Sequence, residues 1–215
     1  SPLVQNINFD CDRRQKKALI CYLPNYYFQN IDPNQTGRTI AFEIFKVVKV
    51  LSEFGFCIDI ISVNDIKAIN LLQAKHYDLI FGFGESFYRI TKLQPKAVSV
   101  LYMTENHPDF SEAEERKRID YYYKRHRIQV PLERSGLFYK KEHLSTRYNF
   151  VIALGEVELL QVQYEKPFSI FPTGILNPEY GQKGKDHESA RKHFLWLGSS
   201  AVIHKGLDLL LDIFS

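Results

Sequence analysis

ALICYLP, residues 18–24, is an unbroken apolar run that predicts a buried strand of a parallel sheet. Five more runs of strand length follow it: FCIDIIS (56–62), DLIFGFG (78–84), AVSVLYMT (97–104), NFVIALG (149–155) and FSIFP (168–172). Strands that alternate with helices predict an α/β fold, a doubly wound parallel sheet with helices on both faces.

The segments between these runs predict the helices. Apolar residues at helical spacing fill residues 40–54, and Gly55 follows at the position where helices commonly end in a left-handed glycine. Further helices are predicted at residues 65–75, 111–127 and 156–164. The first ten residues show no period and are predicted to form an arm.

Composition and charge exclude several classes of protein. Of the 215 residues, 45% are hydrophobic and 25% charged, as in ordinary soluble proteins, and a net charge of +3 is too small to indicate nucleic-acid binding. Cys11, Cys21 and Cys57 are odd in number and lack CxxC spacing, so we expect neither a disulfide nor a zinc site, which favours a reducing cytosol. No apolar run reaches the roughly 18 residues that a membrane span needs. No signal peptide is visible, although Ser1 in place of Met leaves a processed start open.

The C-terminal stretch FLWLGSSAVIHKGLDLLLDIFS (194–215) predicts a strand, a loop of small residues and an amphipathic helix that follows Lys205 and Gly206. A lysine at a helix N-terminus after such a loop is a phosphate-binding layout, because free N–H groups and the helix dipole favour an anion. The sequence therefore predicts a first domain at 1–172, a linker at 173–193 and the truncated start of a second domain at 194–215.

Two loops after predicted strands carry candidate binding residues, because ligands of open parallel sheets bind beyond the carboxyl ends of the strands. The first ends in QTGRT, where Gly37 would allow close approach of a ligand and Arg38 could meet a charged substrate. The alternative is a plain helix entry capped by Thr36.

TENHPD (104–109) follows the fourth of the predicted strands. Glu105, Asn106 and His107 could orient a sugar by hydrogen bonds or handle a proton. The alternative is a turn into a helix that Asp109 or Ser111 caps, and both interpretations can hold together.

EAEERKRIDYYYKRHR (112–127) combines six Lys or Arg residues with three tyrosines. Such a helix could bind nucleic acid, an anionic membrane or a phosphorylated acceptor. The interpretation that we favour is a solvated helix with the i,i+4 pairs Glu112–Arg116 and Glu114–Arg118.

FLWLGSSAVIHKGLDLLLDIF resembles the opening strand, loop and helix of the C-terminal lobe in GT-B glycosyltransferases of the retaining group that uses nucleotide-activated sugars. LICYLP, QTGRT, TENHP and NFVIALGE, in that order, are similar to the acceptor-binding N-terminal lobe of that family. The resemblance implies two Rossmann-like lobes that face each other across a cleft. It is specific in the last twenty-two residues and architectural before them.

The resemblance also implies roles for individual residues. Lys205, with Gly206, would contact the donor diphosphate, and Gly37 would approach the donor phosphates. His107 would touch the donor sugar near the reaction centre and is the candidate catalytic residue. The acceptor is expected to bind at Arg38, Glu105 and Asn106. No metal or cofactor is implied beyond the nucleotide-sugar co-substrate, because cationic side chains and helix dipoles neutralise the leaving diphosphate.

Two departures from the family pattern matter. The loop SSAVI lacks the arginine that often precedes the lysine, and the paired glutamates that grip the nucleotide ribose and the sugar are absent from these 215 residues. We therefore expect the chain by itself to be inactive and its full-length form to be a hexosyltransferase-type enzyme.

The sequence thus predicts a cytoplasmic glycosyltransferase that transfers a sugar from a nucleotide-sugar to a glycan, lipid or other acceptor, without nucleic acid. Peripheral association with the inner membrane face stays open. So does a homodimer, which would bury the apolar stripe of residues 207–214. One rival is a non-catalytic α/β module that docks a partner or an anionic surface through the basic Tyr-rich helix. Another is a dehydrogenase, but the lone GxG of Gly82 and Gly84 lacks the third glycine and is better explained by a tight turn.

Overall fold

The computed structural model describes residues 3–7, 16–28, 39–134, 139–144, 146–154, 167–170, 184, 186–198 and 201–214. The chain divides into two compact units, Ser1–Glu105 with Phe138–Asn177 and Asn106–Leu137 with Pro178–Ser215. This division groups Asn106–Leu137 with the C-terminal segment, whereas the sequence predicted a continuous domain to residue 172. The predicted linker lies largely outside the described residues, and its boundaries stay a prediction.

The first unit is built on a mostly parallel sheet. Its described strands are Val4–Ile7 (β1), Lys17–Tyr22 (β2), Cys57–Ser62 (β3), Leu79–Gly82 (β4), Val98–Met103 (β5), Phe150–Leu154 (β6) and Phe168–Ile170 (β7). They lie in the order β1-β3-β2-β4-β5-β6-β7, with β1 antiparallel to β3 and every other neighbouring pair parallel. The α/β class and the Rossmann-like parallel sheet are therefore confirmed.

The described helices divide between the two units. The first unit has Asn25–Phe28 (α1), Thr39–Glu53 (α2), Ile66–Leu72 (α3), Gly84–Leu93 (α4) and Lys141–Leu144 (α6), and the second has Pro108–His126 (α5), His187–Ala190 (α7) and Leu207–Phe214 (α8). The sequence did not predict α4, which begins two residues after β4 ends. The helix predicted at 156–164 lies outside the described residues.

The strand order reverses direction at β2, and this reversal positions the site. The chain passes from β2 to β3 on one side and then crosses to β4 on the other side of β2. Right-handed crossovers place α2 on one face and α3 and α4 on the opposite face. Beyond the carboxyl ends of β2 and β4 lies the crevice where open sheets of this type bind ligands.

The core sits around β2. Ala18, Leu19, Ile20 and Cys21 are fully buried and Tyr22 nearly so, as expected for a strand covered on both faces. The unbroken apolar run in the sequence therefore corresponds to a central strand. The C′ glycine is also confirmed, because Gly55 has a φ of 78° and its N–H donates to the Ser52 carbonyl.

The predicted N-terminal arm is wrong over Val4–Ile7, which forms the edge strand β1. Val4 pairs with Ile60 and Ile7 with Ile58, with an irregular register between them. The buried Asp59 carboxylate accepts the Asn6 N–H at 3.0 Å and so fixes β1 to the sheet. A four-residue edge strand with no apolar alternation gives no periodic signal in the sequence. Its partner β3 lies more than fifty residues away, so no local pattern indicates the pairing either.

The strand predicted at residues 194–198 is also wrong, since Phe194, Leu195 and Leu197 lie outside regular secondary structure with 70%, 88% and 89% of their surface exposed. A strand needs a neighbouring strand to which its backbone can hydrogen-bond, and the described residues of the second unit include no strand. The phosphate-binding layout therefore retains its lysine and helix but not its strand.

The expectation of no disulfide is wrong, because Cys57 is disulfide-bonded. Cys21 is free and buried, and burial raises the pKa of its thiol. Spacing along the chain does not show which cysteines folding brings together, so the argument from spacing for a reducing compartment falls away.

Candidate functional site

A half-buried carboxylate, Glu43, is held at the carboxyl edge of the sheet. Glu43 lies near the start of α2, and its Oε2 accepts a hydrogen bond of 2.6 Å from the hydroxyl of Tyr22, the last residue of β2. The ring of Tyr22 packs edge-on against the ring of Phe83, with centroids 5.4 Å apart. Its centroid lies 6.2 Å from that of the Tyr102 ring. Buried aromatic rings therefore fix the hydroxyl that orients this carboxylate.

Tyr22, Tyr102 and Tyr139 all keep their protons at neutral pH. Burial is the main cause that raises the pKa of Tyr22 and of Tyr102, and the Glu43 carboxylate raises both further. Burial also raises the pKa of Tyr139, against the opposing effect of Thr104. Neutral phenols are hydrogen-bond donors and acceptors, so this cluster can orient polar groups but cannot supply a strong base.

Tyr139 fixes the chain where it leaves β5. Its hydroxyl accepts the Thr104 N–H at 2.9 Å and donates to the Tyr102 carbonyl at 3.1 Å. Its ring packs against Phe83 at 5.4 Å. Glu105, one of the predicted acceptor-binding residues, directly follows Thr104. The buried Tyr139, far along the chain, therefore positions the start of the predicted acceptor loop.

Gly82 and Gly84 let neighbouring backbones meet at the crevice. A Cβ on Gly82 would lie 2.0 Å from the Cys21 carbonyl oxygen, and one on Gly84 would lie 2.7 Å from that of Val63. Both have positive φ, 134° and 81°. Close packing of neighbouring backbones therefore accounts for the lone GxG, for which the sequence predicted a tight turn.

Glu85, in the first turn of α4, is the centre of a charged cluster that the sequence did not reveal. Its Oε1 accepts from Arg89 Nε at 2.6 Å, and its Oε2 lies 3.2 Å from Lys140 Nζ and 3.1 Å from His143 Nε2. The Arg89 hydrogen bond, with those of Lys140 and His143, lowers the pKa of Glu85 to about 2 against an opposing effect of burial.

The ring of His143 is buried and used at both nitrogens. Nε2 faces Glu85, while Nδ1 accepts the Lys140 N–H at 3.5 Å, and the ring lies against Tyr88 with centroids 4.6 Å apart. A histidine engaged in this way holds the ends of two segments together.

Potential ligand atoms of Glu85, Glu142 and His143 lie within 4.8 Å of one another. This arrangement does not fit a cation well, because Arg89 and Lys140 already neutralise Glu85 and would repel a metal ion. An ion-pair network accounts for the cluster, and the absence of a metal stays a prediction.

His107 is the N-cap of α5, and its Nδ1 accepts the Asp109 N–H at 3.3 Å. The prediction that Asp109 or Ser111 caps this helix is therefore wrong, because the helix begins earlier, with Pro108 in its first turn. The chain brings Glu105, Asn106 and His107 together as consecutive residues after β5. Gly37 and Arg38 lie outside the described residues.

Lys205 and Gly206 lie in the turn before α8. The Lys205 carbonyl accepts from Trp196 Nε1 at 3.1 Å, and Gly206 adopts a φ of 74°. The Leu210 N–H donates to the Gly206 carbonyl, so Gly206 begins the helical hydrogen bonding. The predicted lysine therefore does precede a helix N-terminus.

The charges of α5 are largely paired within its own unit. Arg116 binds Glu112 at 2.7 Å, as predicted, whereas Lys117 rather than Arg118 binds Glu114. Arg125 contacts both Asp208 and Asp212 of α8. These pairs support the interpretation of a solvated, ion-paired helix.

No protein-family model, curated protein or solved structure matches the chain. Of the described helices, none is both long and apolar enough to cross a bilayer.

Proposed function

We propose that the protein is a GT-B glycosyltransferase of the retaining, nucleotide-sugar-dependent group, in which the first unit binds the acceptor. The observation that carries the proposal is Glu43, a carboxylate that Tyr22 orients at the carboxyl edge of a parallel sheet. A carboxylate accepts hydrogen bonds from sugar hydroxyls, and its location matches the crevice where sheets of this type bind ligands.

The donor is assigned to the turn before α8. Lys205 would bind the diphosphate of the nucleotide-sugar, and the helix N-terminus after Gly206 would stabilise the negative charge of the departing group. This assignment rests on the sequence resemblance and on the position of Lys205 two residues before Leu207–Phe214.

The remaining predicted residues receive roles in the same scheme. His107 would approach the donor sugar, and Glu105 and Asn106 keep their predicted role in binding the acceptor. Gly37 and Arg38 keep their predicted contacts with donor phosphate and acceptor. Catalysis would then consist mainly of positioning and charge stabilisation, with no metal.

The test is sugar transfer by the full-length protein. UDP-glucose, UDP-N-acetylglucosamine and GDP-mannose are offered with a mixture of simple glycosides, and mass spectrometry detects the new glycoside while a coupled assay detects nucleoside diphosphate. We expect acceptor-dependent release with one of these donors. Lys205→Ala should lower turnover or donor affinity by at least about tenfold, because it removes a charge-assisted contact to phosphate.

Lys192→Ala is the matched control, since Lys192 is exposed in the same unit. Glu43→Gln should raise the acceptor KM and leave donor binding unchanged, because the amide is a weaker acceptor than the carboxylate. Unchanged kinetics in Lys205→Ala would remove the donor assignment, and an unchanged acceptor KM in Glu43→Gln would remove the acceptor assignment.

The non-catalytic binding module is the second candidate. The observation that favours it is that α5 exposes Tyr121 and Tyr123, whose rings lie under the guanidinium groups of Arg125 and Arg127. Exposed tyrosines beside an exposed arginine such as Arg127 are typical of docking surfaces.

A further inference from the structure

The second unit contains a cleft of about 430 Å³ between α5 and α8. Its walls are mostly apolar, with Ile119 from α5 opposite Leu207 and Leu211 from α8. An aromatic wall is formed by Tyr122 and His126, whose rings pack with centroids 4.5 Å apart. The volume and the apolar lining are those of a small-molecule site.

Glu115 lines the cleft, but the chain itself satisfies its carboxylate. Only 3% of Glu115 is exposed, and its Oε1 accepts the N–H groups of Glu133 at 2.7 Å and of Arg134 at 3.1 Å. This carboxylate therefore ties the segment after α5 to the helix and shapes the cleft, and it offers little capacity to a ligand.

Asp208 differs from Glu115 because one of its oxygens is unused. Its side chain is nine-tenths buried and contacts Arg125 through Oδ2, while Oδ1 is buried and has no hydrogen-bond partner among the described residues. His204 also lines the cleft, and its buried Nδ1 has no partner in the described part of the chain. A buried acceptor without a donor is costly, so the site favours a ligand that brings one.

The charges around the cleft are balanced. The acidic residues that line it are Glu115, Glu133, Asp208 and Asp212, and the cationic residues that contact them or act on the His204 ring are Arg118, Arg125, Arg134 and Lys205. Burial, with the charges of Arg134 and Arg118, lowers the pKa of His204 and keeps the ring neutral at neutral pH. A charged ligand would therefore find no unpaired opposite charge in the cleft to offset the cost of its desolvation. An uncharged ligand has a smaller desolvation cost.

We propose that this cleft binds a small, uncharged aromatic molecule that donates an O–H or N–H hydrogen bond to Asp208 Oδ1. The ring would lie against Tyr122 and the apolar side chains, and the donor would satisfy the buried oxygen. None of the residues that line the cleft is assigned to donor or acceptor, so its ligand is tested without sugar transfer.

The test compares two probes that differ in one group. 4-Fluorophenol and 4-fluorotoluene share a ring and nearly a volume, but only the phenol donates a hydrogen bond. ¹⁹F NMR titration of each into the protein should show about tenfold tighter binding of the phenol, the effect of one hydrogen bond to a charged acceptor. Equal affinities, or no binding of either probe at millimolar concentration, would overturn the proposal.

Asp208→Asn isolates the hydrogen bond. Because Arg125 can only donate, it should keep its hydrogen bond to the oxygen of the new amide. The amide NH₂ then takes the position that Asp208 Oδ1 occupies in the wild type. The amide N–H can still donate to the phenol oxygen, but this neutral hydrogen bond is weaker than one to a carboxylate. The phenol should therefore lose most of its tenfold advantage, while the affinity for 4-fluorotoluene stays unchanged. An undiminished phenol preference in this variant would contradict the role of Asp208.

Leu207→Trp tests the location, because the larger ring fills the cleft and should abolish the binding of both probes. Ile213→Trp is the control on the same helix, where the side chain is 78% exposed. Far-UV circular dichroism checks that both variants fold. Binding that survives Leu207→Trp, or that disappears in Ile213→Trp, would place the ligand elsewhere and overturn the proposal.

Discussion

Glu85 shows how one side chain joins segments that are distant in sequence. Its carboxylate meets Arg89 one helical turn away and two groups, Lys140 and His143, more than fifty residues away. The charged form makes every one of these contacts, so the folded protein binds the proton at Glu85 less readily than the unfolded chain does.

This difference predicts a pH dependence of stability. The folded pKa of Glu85 is lowered to about 2 from an ordinary value of 4.5. A lowered carboxyl pKa stabilises the fold above the unfolded value, and the contribution disappears as the pH falls from 4.5 towards 2. Thermal melts should therefore show Glu85→Gln well below the wild type at pH 6, with the difference narrowing at pH 3.

Glu53→Gln is the control, because the Glu53 ion pair with Lys49 is exposed and long, at 3.8 Å. We expect it to change the melting temperature little at either pH. If the melting temperatures of Glu85→Gln and wild type differ as much at pH 3 as at pH 6, the lowered pKa of Glu85 does not stabilise the fold as proposed.

The junction of β2 and β4 depends on a single residue, Gly82. Cys21 and Gly82 are paired in register at the last position of the β4 ladder, and the Cys21 carbonyl occupies the space that a Gly82 Cβ would need. The crevice beyond the carboxyl ends of β2 and β4 therefore has this form only because residue 82 is glycine.

Gly82→Ala should destabilise the protein by at least about 3 kcal/mol, since it adds a backbone clash to a strained φ. Gly55→Ala is the matched control, because Gly55 also has positive φ but its Cβ would meet nothing within 4 Å. That variant should lose only about 1 kcal/mol. Urea denaturation followed by circular dichroism measures both, and equal losses would show that the clash relaxes without cost.

At the scale of the whole molecule, charge separates the two candidate functions. The chain carries 28 Lys and Arg against 25 Asp and Glu, for a formal net charge of +3. Much of the basic charge of α5 is paired, as with Arg116 and Glu112 or Arg125 and Asp208. These ion pairs reduce the positive charge that α5 offers to a polyanion.

We expect weak binding to nucleic acid, with a Kd for duplex DNA above about 10⁻⁴ M at physiological salt. Fluorescence anisotropy of a labelled duplex measures it over a series of salt concentrations. Micromolar affinity that falls steeply with salt, and that Lys124→Glu abolishes, would contradict this expectation and favour the binding module over the glycosyltransferase.

Local patterns were enough to predict the parallel strands β2 to β7 of the sheet, but neither the edge strand β1 nor the candidate site. Runs such as ALICYLP predict strands because a central strand is buried on both faces, and Gly55 predicts a helix end because its neighbours decide its conformation. Glu43 was not predicted, since what marks it is a bond to Tyr22, twenty-one residues earlier.

The sequence by itself therefore determined the α/β class, the central strands and a lysine ahead of the last described helix, all of which depend on burial and conformation within short segments. Only the tertiary structure decided that Val4–Ile7 joins the sheet at its edge and that residues 194–198 form no strand. It also decided that Asp59, Glu85 and Asp208 become centres of polar contact. The physical reason is that strand pairing and buried charge depend on partners that lie far along the chain, and only folding brings these together.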